Sequence, residues 1–366
     1  MSGGLVSAGE VGMTDGPGAG ARRGATRLAL LAVALLLVGS TSACFVEPIE
    51  QTVGTSSVAP TAHLRSGPQT AELPQRDVVP VADDPTPSLP VTVDSVRYGA
   101  VTVRDTSRIV AVDINGTLGS IVFSLGLGSH VVGRDTSTAF PSAVGLPVVT
   151  NRGHSLNAES VLALAPSVVL VDENTVPAAA VDQIRDSGVP VVVFAGTRSL
   201  ASNDALIRSV ARTLGVDAQG EQLAARTDRQ VAAAKKLVPS PSGDPTIAFV
   251  YIRGRNLILL AGPGSGADDL IETLGGRDAG AAADLSGAFT AITAEAMIKA
   301  DPDVIMVMTQ GAETVGGLDG VLALPGIAET DAGRNRRIVQ MDETKILAFG
   351  PDVGEVLSSL ARAIYT

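Results

Sequence analysis

Residues 218–237 read AQGEQLAARTDRQVAAAKKL, a stretch without proline. Leu223, Ala224, Thr227, Val231 and Ala234 recur at spacings of one, three and four, which is the apolar stripe of one long amphipathic helix. On its N-terminal side, apolar β-branched runs alternate with helical segments. Val91–Val93 and Ala100–Val103 alternate as a hairpin would. Arg108–Asp113 is a strand followed by Asn115-Gly116 and a helix over 117–125. Strand segments 130–132 and 146–149 lead to a helix over 157–165, with Asn157 as its cap, and a strand over 167–171. A helix over 177–187 precedes a strand over 189–194. On the C-terminal side the theme returns, with strands over 247–252, 257–261, 304–308 and 337–339 and helices over 267–274, 294–299 and 351–364. Continuous β-branched runs separated by helices indicate parallel sheets covered on both faces. The expected fold is therefore α/β: two Rossmann-like lobes, 90–217 and 239–366, joined by one helix over 218–238. A ligand cleft lies between them, at the carboxyl ends of the strands.

The first 89 residues have another character. Arg22, Arg23 and Arg27 precede the apolar run Leu28–Val38, which is too short for a bilayer span of about 20 residues but suits a signal peptide. Small residues then lead to Cys44, the only cysteine. The pattern resembles a bacterial lipobox, with Thr41 where leucine is usual. It marks 1–43 as a lipoprotein signal peptide and Cys44 as a lipidated, membrane-anchored N-terminus outside the cytoplasm; Met13 is a second candidate start. Residues 44–89 hold seven of the 21 prolines and show no hydrophobic periodicity, which predicts a disordered tether.

Composition removes several classes of function. The 366 residues carry a net charge of −11, unsuited to nucleic acid, whose phosphates need a basic partner. One cysteine excludes an intrachain disulfide framework and any CxxC zinc site. Gly262–Ala267 (GPGSGA) matches a dinucleotide fingerprint on paper, but Pro263 spoils the amide cradle. There is no GxSxG elbow, and within the lobes only His130 and His154 could serve a hydrolase, so no catalysis is expected. His130 reads as structural.

Two groups stand out at the cleft. His154 lies in the loop before the helix capped by Asn157. Tyr251 and Arg253 end an apolar strand and, with Arg255, share one face by period-two alternation. A cation beside tyrosine favours phenolate, a hard ligand for ferric iron and a known axial ligand of haem. Histidine on one lobe and tyrosine on the other suit the two faces of one iron porphyrin.

The segments Val110–Thr117 (VAVDINGT), Pro147–Glu159 (PVVTNRGHSLNAE), Tyr251–Gly254 (YIRG) and Gly264–Ile271 (GSGADDLI) resemble the haemin-binding HmuT family of actinobacterial haem-uptake ABC transporters. The likeness covers roughly residues 95–366. It implies a class III substrate-binding protein that carries haem b between His154 and Tyr251, with Arg253 hydrogen-bonded to the tyrosine and Met308 near the haem. Arg134, Arg152 and Arg255 are candidates for the propionates. Acidic residues on each lobe of such proteins meet the permease, which nominates Glu159 on the first lobe and Asp268, Asp269 or Glu272 on the second. The implied partners are an ABC permease with its ATPase, and haem taken free or from other haem-carrying surface proteins. The chain is expected to be a monomer touching the membrane only through its lipid. A ferric siderophore or cobalamin is the alternative cargo, and a haem-sensing envelope protein without a transporter is the alternative role.

Overall fold

A computed structural model of the protein describes residues 64–365 apart from Arg152 and Gly153. The signal segment, Cys44 and residues 44–63 lie outside the described residues. The strands are β1 (Gln69–Thr70), β2 (Val91–Ser95), β3 (Gly99–Val103), β4 (Ile109–Val112), β5 (Val131–Arg134), β6 (Val168–Asp172), β7 (Val191–Phe194), β8 (Thr246–Ile252), β9 (Ile258–Ala261), β10 (Arg277–Asp278), β11 (Phe289–Ala291), β12 (Val304–Met308) and β13 (Ile338–Met341). The helices of the first lobe are α1 (Thr117–Ser124), α2 (Ala158–Ala163), α3 (Ala178–Asp186) and α4 (Leu200–Thr213), and α5 (Asp217–Lys235) follows. The second lobe adds α6 (Ala267–Thr273), α7 (Ala279–Ala282), α8 (Ala294–Ala300), α9 (Thr309–Glu313), α10 (Gly317–Leu322), α11 (Asp331–Arg334), α12 (Glu343–Ile346) and α13 (Val353–Ile364).

The first lobe is a parallel sheet in the order β5-β4-β6-β7, with β2 and β3 as a separate antiparallel hairpin. Alternation decides its layers. Ile109 and Ala111 of β4 enter one apolar cluster, whereas Val110 and Val112 enter another on the opposite face. The second lobe repeats this around β8: Ile247 and Phe249 face one cluster, Ala248, Val250 and Ile252 the other. Its sheet runs β1-β13-β12-β8-β9-β11, and it is mixed rather than purely parallel, because β9 and β11 are antiparallel. A tight turn at Gly254 sends the chain straight back as β9, which a parallel connection of that length cannot do.

Helix α5 serves both lobes. Leu223 and Ala224 near its start are buried in the core of the first lobe, while Ala234 near its end is buried in the core of the second. It packs along α13 at a close crossing, where a Cβ on Gly354 would stand 2.4 Å from Gln230 Cβ. Helix α4, for which no sequence signal was identified, flanks α5 and starts with a reciprocal Ser199–Ser202 capping box. Segment 130–132 is also corrected. His130 ends a short 3₁₀ turn before β5, and 146–149 contributes only an isolated bridge, Arg134 to Val148. His130 is indeed held structurally, its Nδ1 2.9 Å from the Thr106 carbonyl and its Nε2 2.7 Å from Asp84. Among the described residues no helix is long and apolar enough to cross a membrane.

The expectation of a disordered tether fails over residues 64–89. Leu64 bridges Tyr365, β1 pairs in parallel with β13, and the Ala71 amide donates to the Gln340 carbonyl at 2.8 Å. Leu64 and Ala71 are buried in the second lobe. The chain then crosses to the first lobe, where Val78, Val81 and Leu89 pack on its core, and the Val81 and Ser88 amides donate to the carbonyls of Ser124 and Gly215, both at 2.8 Å. At Gly126, in a left-handed conformation, a Cβ would stand 2.2 Å from the Ala82 carbonyl oxygen, so the strap lies directly on the backbone there. Proline-rich composition is misleading because this segment borrows the edge of a finished sheet and the cores of both lobes instead of building its own. The lobes are thus linked by two chain crossings, the strap and α5. A chain beginning at Gln75 is expected to melt at least about 5 °C below one beginning at Leu64, reflecting a loss of roughly 2 kcal/mol. Equal melting temperatures by calorimetry would return the segment to the status of a passive tether.

Candidate functional site

The loop carrying His154 is pinned at its base by an antiparallel bridge between Thr150 and Leu156 and by the Asn151 amide donating to the Ser155 carbonyl at 2.7 Å. His154 itself has φ +62°, a conformation uncommon for a residue with a side chain and frequent where function overrides local preference. Asn157 caps α2 as expected, its side chain accepting from the Ser160 amide. His154 Nδ1 lies 3.4 Å from Ser137 Oγ, whose hydroxyl donates to the Ile114 carbonyl at 2.7 Å. With that hydrogen committed, the serine oxygen is free to accept from Nδ1–H, which leaves the Nε2 lone pair available. Partial burial and then the positive charge of Arg253 push the imidazole pKa down, against a smaller opposing pull from Asp113. The imidazole therefore stays neutral further into acid than an exposed one. Arg253 belongs to the other lobe, so its charge reaches His154 across the cleft, although His154 lines neither of the two cavities there.

Tyr251 is half-buried on β8, edge-on to Phe289 at 5.9 Å between ring centres. The Arg253 guanidinium carbon stands 4.8 Å over the tyrosine ring. Among the described residues the Tyr251 hydroxyl has no hydrogen-bond partner. It opens on a cavity of about 580 Å³, lined on the first lobe by Ile114, Asn174 and Arg198 and on the second by Phe289, Met308 and Phe349. That volume falls within the range of small-molecule sites, about 300–1,000 Å³. A neighbouring cavity of about 630 Å³, lined by Ser137, Phe140, Lys345 and part of the strap, lies on the other side of Phe349.

Several sequence expectations change here. The strand ends at Ile252, so alternation does not carry to Arg255, which turns away and donates to the Val315 carbonyl at 3.2 Å. Arg134 is buried, its guanidinium donating to the carbonyls of Asp135 and Val144, both at 3.0 Å, so it is not free for a ligand carboxylate. Arg152 lies outside the described residues. Asp268 accepts from the Gly264 and Gly266 amides and shapes the loop before α6. Asp269 accepts from the Leu200 amide at the start of α4, linking the lobes. Both carboxylates are occupied within the molecule. Glu159 and Glu272 remain exposed.

Sequence reasoning missed the charges beneath the cleft. Arg198 bridges Asp113 at 3.0 Å and Asp172 at 2.8 Å, all three side chains being almost fully buried. Asp135 accepts from the amides of Asp113 and Thr138. The signal was available: three apolar runs of the first lobe end in aspartate, VAVD, VVGRD and VVLVD. Two carboxylates share that guanidinium and a third, Asp135, is buried beside Asp113, so the three cannot all ionise cheaply. Burial, then the neighbouring Asp113, pushes Asp135 up to about 7 and Asp172 up to about 6.

The comparisons with known proteins bear on this geometry. The sequence profile of the family described as periplasmic binding protein matches residues 113–344. The chain belongs to that family. It resembles the crystal structure of the heme binding protein HmuT with a TM-score of 0.77 and 37% identity, covering 82% of this chain and 98% of that one. Variants of HmuT in which an arginine, a histidine or a tyrosine is replaced by alanine share the same fold. The periplasmic heme-binding protein RhuT from Roseiflexus sp. RS-1 in apo form gives a TM-score of 0.66 and 38% identity, covering 71% of this chain and 98% of its own. A sequence relative, the uncharacterized ABC transporter substrate-binding lipoprotein YvrC of Bacillus subtilis (strain 168), is 26% identical over 289 residues, 78% of this chain and 88% of its own. The α/β fold, with its cleft at the strand ends, is that of this binding-protein family, whose members bind substrates rather than transform them.

Because Asp135 and Asp172 bind protons more tightly folded than unfolded, their contribution to stability is whole at low pH and is lost as the pH rises through about 6 and about 7. Urea unfolding should show the protein more stable at pH 5 than at pH 7.5, with a slope of at most about 1.4 kcal/mol per pH unit from each group. Asp135→Asn should flatten that slope. An unchanged slope in the variant would remove Asp135 as its source.

Proposed function

We propose that this protein is the extracytoplasmic, lipid-anchored receptor that captures haem in its interlobe cleft and delivers it to an ABC permease and ATPase. The observation that carries the reading is a single constellation. Arg253 stacks on Tyr251, which lines the cavity, while its charge reaches His154, held in a loop of the opposite lobe outside the residues that line that cavity. Iron in a porphyrin leaves two axial positions, and tyrosine and histidine are both used to fill them. His154 and Tyr251 are assigned as those ligands, with Arg253 stacked on the tyrosine ring. Phe289, Phe349 and Met308 offer apolar contacts to the macrocycle.

Two properties of the structural relatives support the cargo. HmuT and RhuT are described as heme-binding, and the HmuT variants replace a tyrosine and an arginine two positions apart, the spacing of Tyr251 and Arg253 here. The name of the Bacillus subtilis relative supports a lipoprotein serving an ABC transporter, consistent with signal-peptide cleavage before Cys44 and a lipid on its thiol. Glu159 and Glu272 are the exposed carboxylates assigned to permease docking, one on each lobe.

Haemin titration of the chain from residue 45 is expected to saturate at one haem per chain with a phenolate-to-iron charge-transfer band. Tyr251→Ala should lose that band and weaken binding at least tenfold, about 1.4 kcal/mol. His154→Ala should retain the band at a shifted position. Unsaturable binding, or spectra indifferent to both substitutions, would defeat the haem reading and turn attention to siderophores and cobalamin.

A further inference from the structure

Arg253 ends a strand and stands at the head of a tight turn, its backbone amide bound to the Leu257 carbonyl at 2.8 Å. Its guanidinium is partly exposed, and a free arginine there would sample many rotamers at an entropic cost on ordering. One carboxylate meets it. Glu343, at the first position of α12, places Oε1 3.5 Å from Arg253 Nη1. That carboxylate is anchored independently of the arginine. Oε1 accepts from the Gly311 amide and Oε2 from the Gln310 amide, both at 3.0 Å, in the first turn of α9 immediately after Met308. The Glu343 side chain is 11% exposed against 42% for Arg253. A carboxylate clamped by two backbone donors cannot follow a mobile guanidinium, so the direction of control runs from Glu343 to Arg253.

We infer that Glu343 is a positioning residue for ligand capture, holding Arg253 over Tyr251 so that ring and cation meet the incoming ligand as one pre-arranged unit. The inference rests on the reading of Tyr251 as an iron ligand. It adds that the electron donation of the phenolate is set by a residue 90 positions away along the chain, on a different strand end of the same sheet. No sequence motif links the two, because the contact is made by the convergence of β8, β12 and β13 at their carboxyl ends.

Glu343→Gln keeps the shape and an acceptor for one backbone amide but removes the charge that attracts the guanidinium. In the ligand-free protein, the side-chain Nε–H resonance of Arg253 is expected to be resolved by ¹⁵N NMR in wild type and to broaden or average in Glu343→Gln. With haemin bound, the charge-transfer band is expected to shift and haem dissociation to quicken about fivefold, the loss of a charge-assisted contact. Both effects should vanish when the same substitution is made in an Arg253→Ala background, with equal melting temperatures confirming that the fold is intact. An unchanged Arg253 resonance, or an effect of equal size without Arg253, would overturn the inference. Failure of wild type to bind haemin saturably would strike the haem reading instead, and the ligand-free NMR comparison would still decide whether Glu343 orders Arg253.

Discussion

The carboxamide of Asn203 grips both backbone polar groups of Gly350, donating to its carbonyl at 3.1 Å and accepting from its amide at 2.7 Å. Asn203 sits in α4 of the first lobe, while Gly350 leads into α13 of the second, and both are buried. Neither partner can leave without stranding polar groups away from water, a cost of about 1–3 kcal/mol for each such group. The Thr117 hydroxyl donating to the Ala348 carbonyl and the Asp269 carboxylate receiving the Leu200 amide reinforce the same seam. Stitching at the base limits how far the two walls of the cleft can part.

The seam also explains how a chain so poor in aromatic residues lines a binding site. Phe349 is held at φ +55° and ψ −139°, an unfavourable backbone for a residue with a bulky side chain. The flanking contacts of Ala348 with Thr117 and of Gly350 with Asn203 fix it there, and its ring lines both cavities. Phe289 reaches the site from β11, the antiparallel edge strand paired to β9, where it is partly exposed and meets Tyr251. Tyr251, Phe289 and Phe349 thus bring three of the few large rings to the cleft, while Phe123, Phe194, Phe249 and Tyr365 pack in the cores.

Much of this architecture was legible in the sequence, because it depends on periodicity. Most strands of both lobes, the long helix between them and the cap at Asn157 are local patterns found within a few residues of their expected places, the strand over 146–149 excepted. His154, Tyr251 and Arg253 were visible as chemistry at strand ends. What was hidden depends on pairing between distant segments. Nothing local says that Gln69–Thr70 will dock on Val339–Gln340, that Asp269 will receive an amide from the other lobe, or that Glu343 will meet Arg253. Arg134 illustrates the converse error. A lone arginine in a βα region reads as a ligand contact, yet its donors are consumed by carbonyls of its own lobe. The antiparallel return of β9 likewise turns on one left-handed glycine, Gly254, which a run of hydrophobic residues does not announce.

The strap over residues 64–89 alters the mechanics of the two lobes. Two bodies joined by one rod can swing about either end and twist around it. Joined at two separated places, as here by the strap and by α5, they keep one free rotation, about the line through both attachments, much as a door keeps only the swing that its pair of hinges allows. Because the strap enters along β13 of the second lobe, a pull from the N-terminal side reaches that lobe first. The seam at Asn203, Thr117 and Asp269 keeps that swing small, so the first lobe, with His154, follows a pull transmitted through the second, with Tyr251.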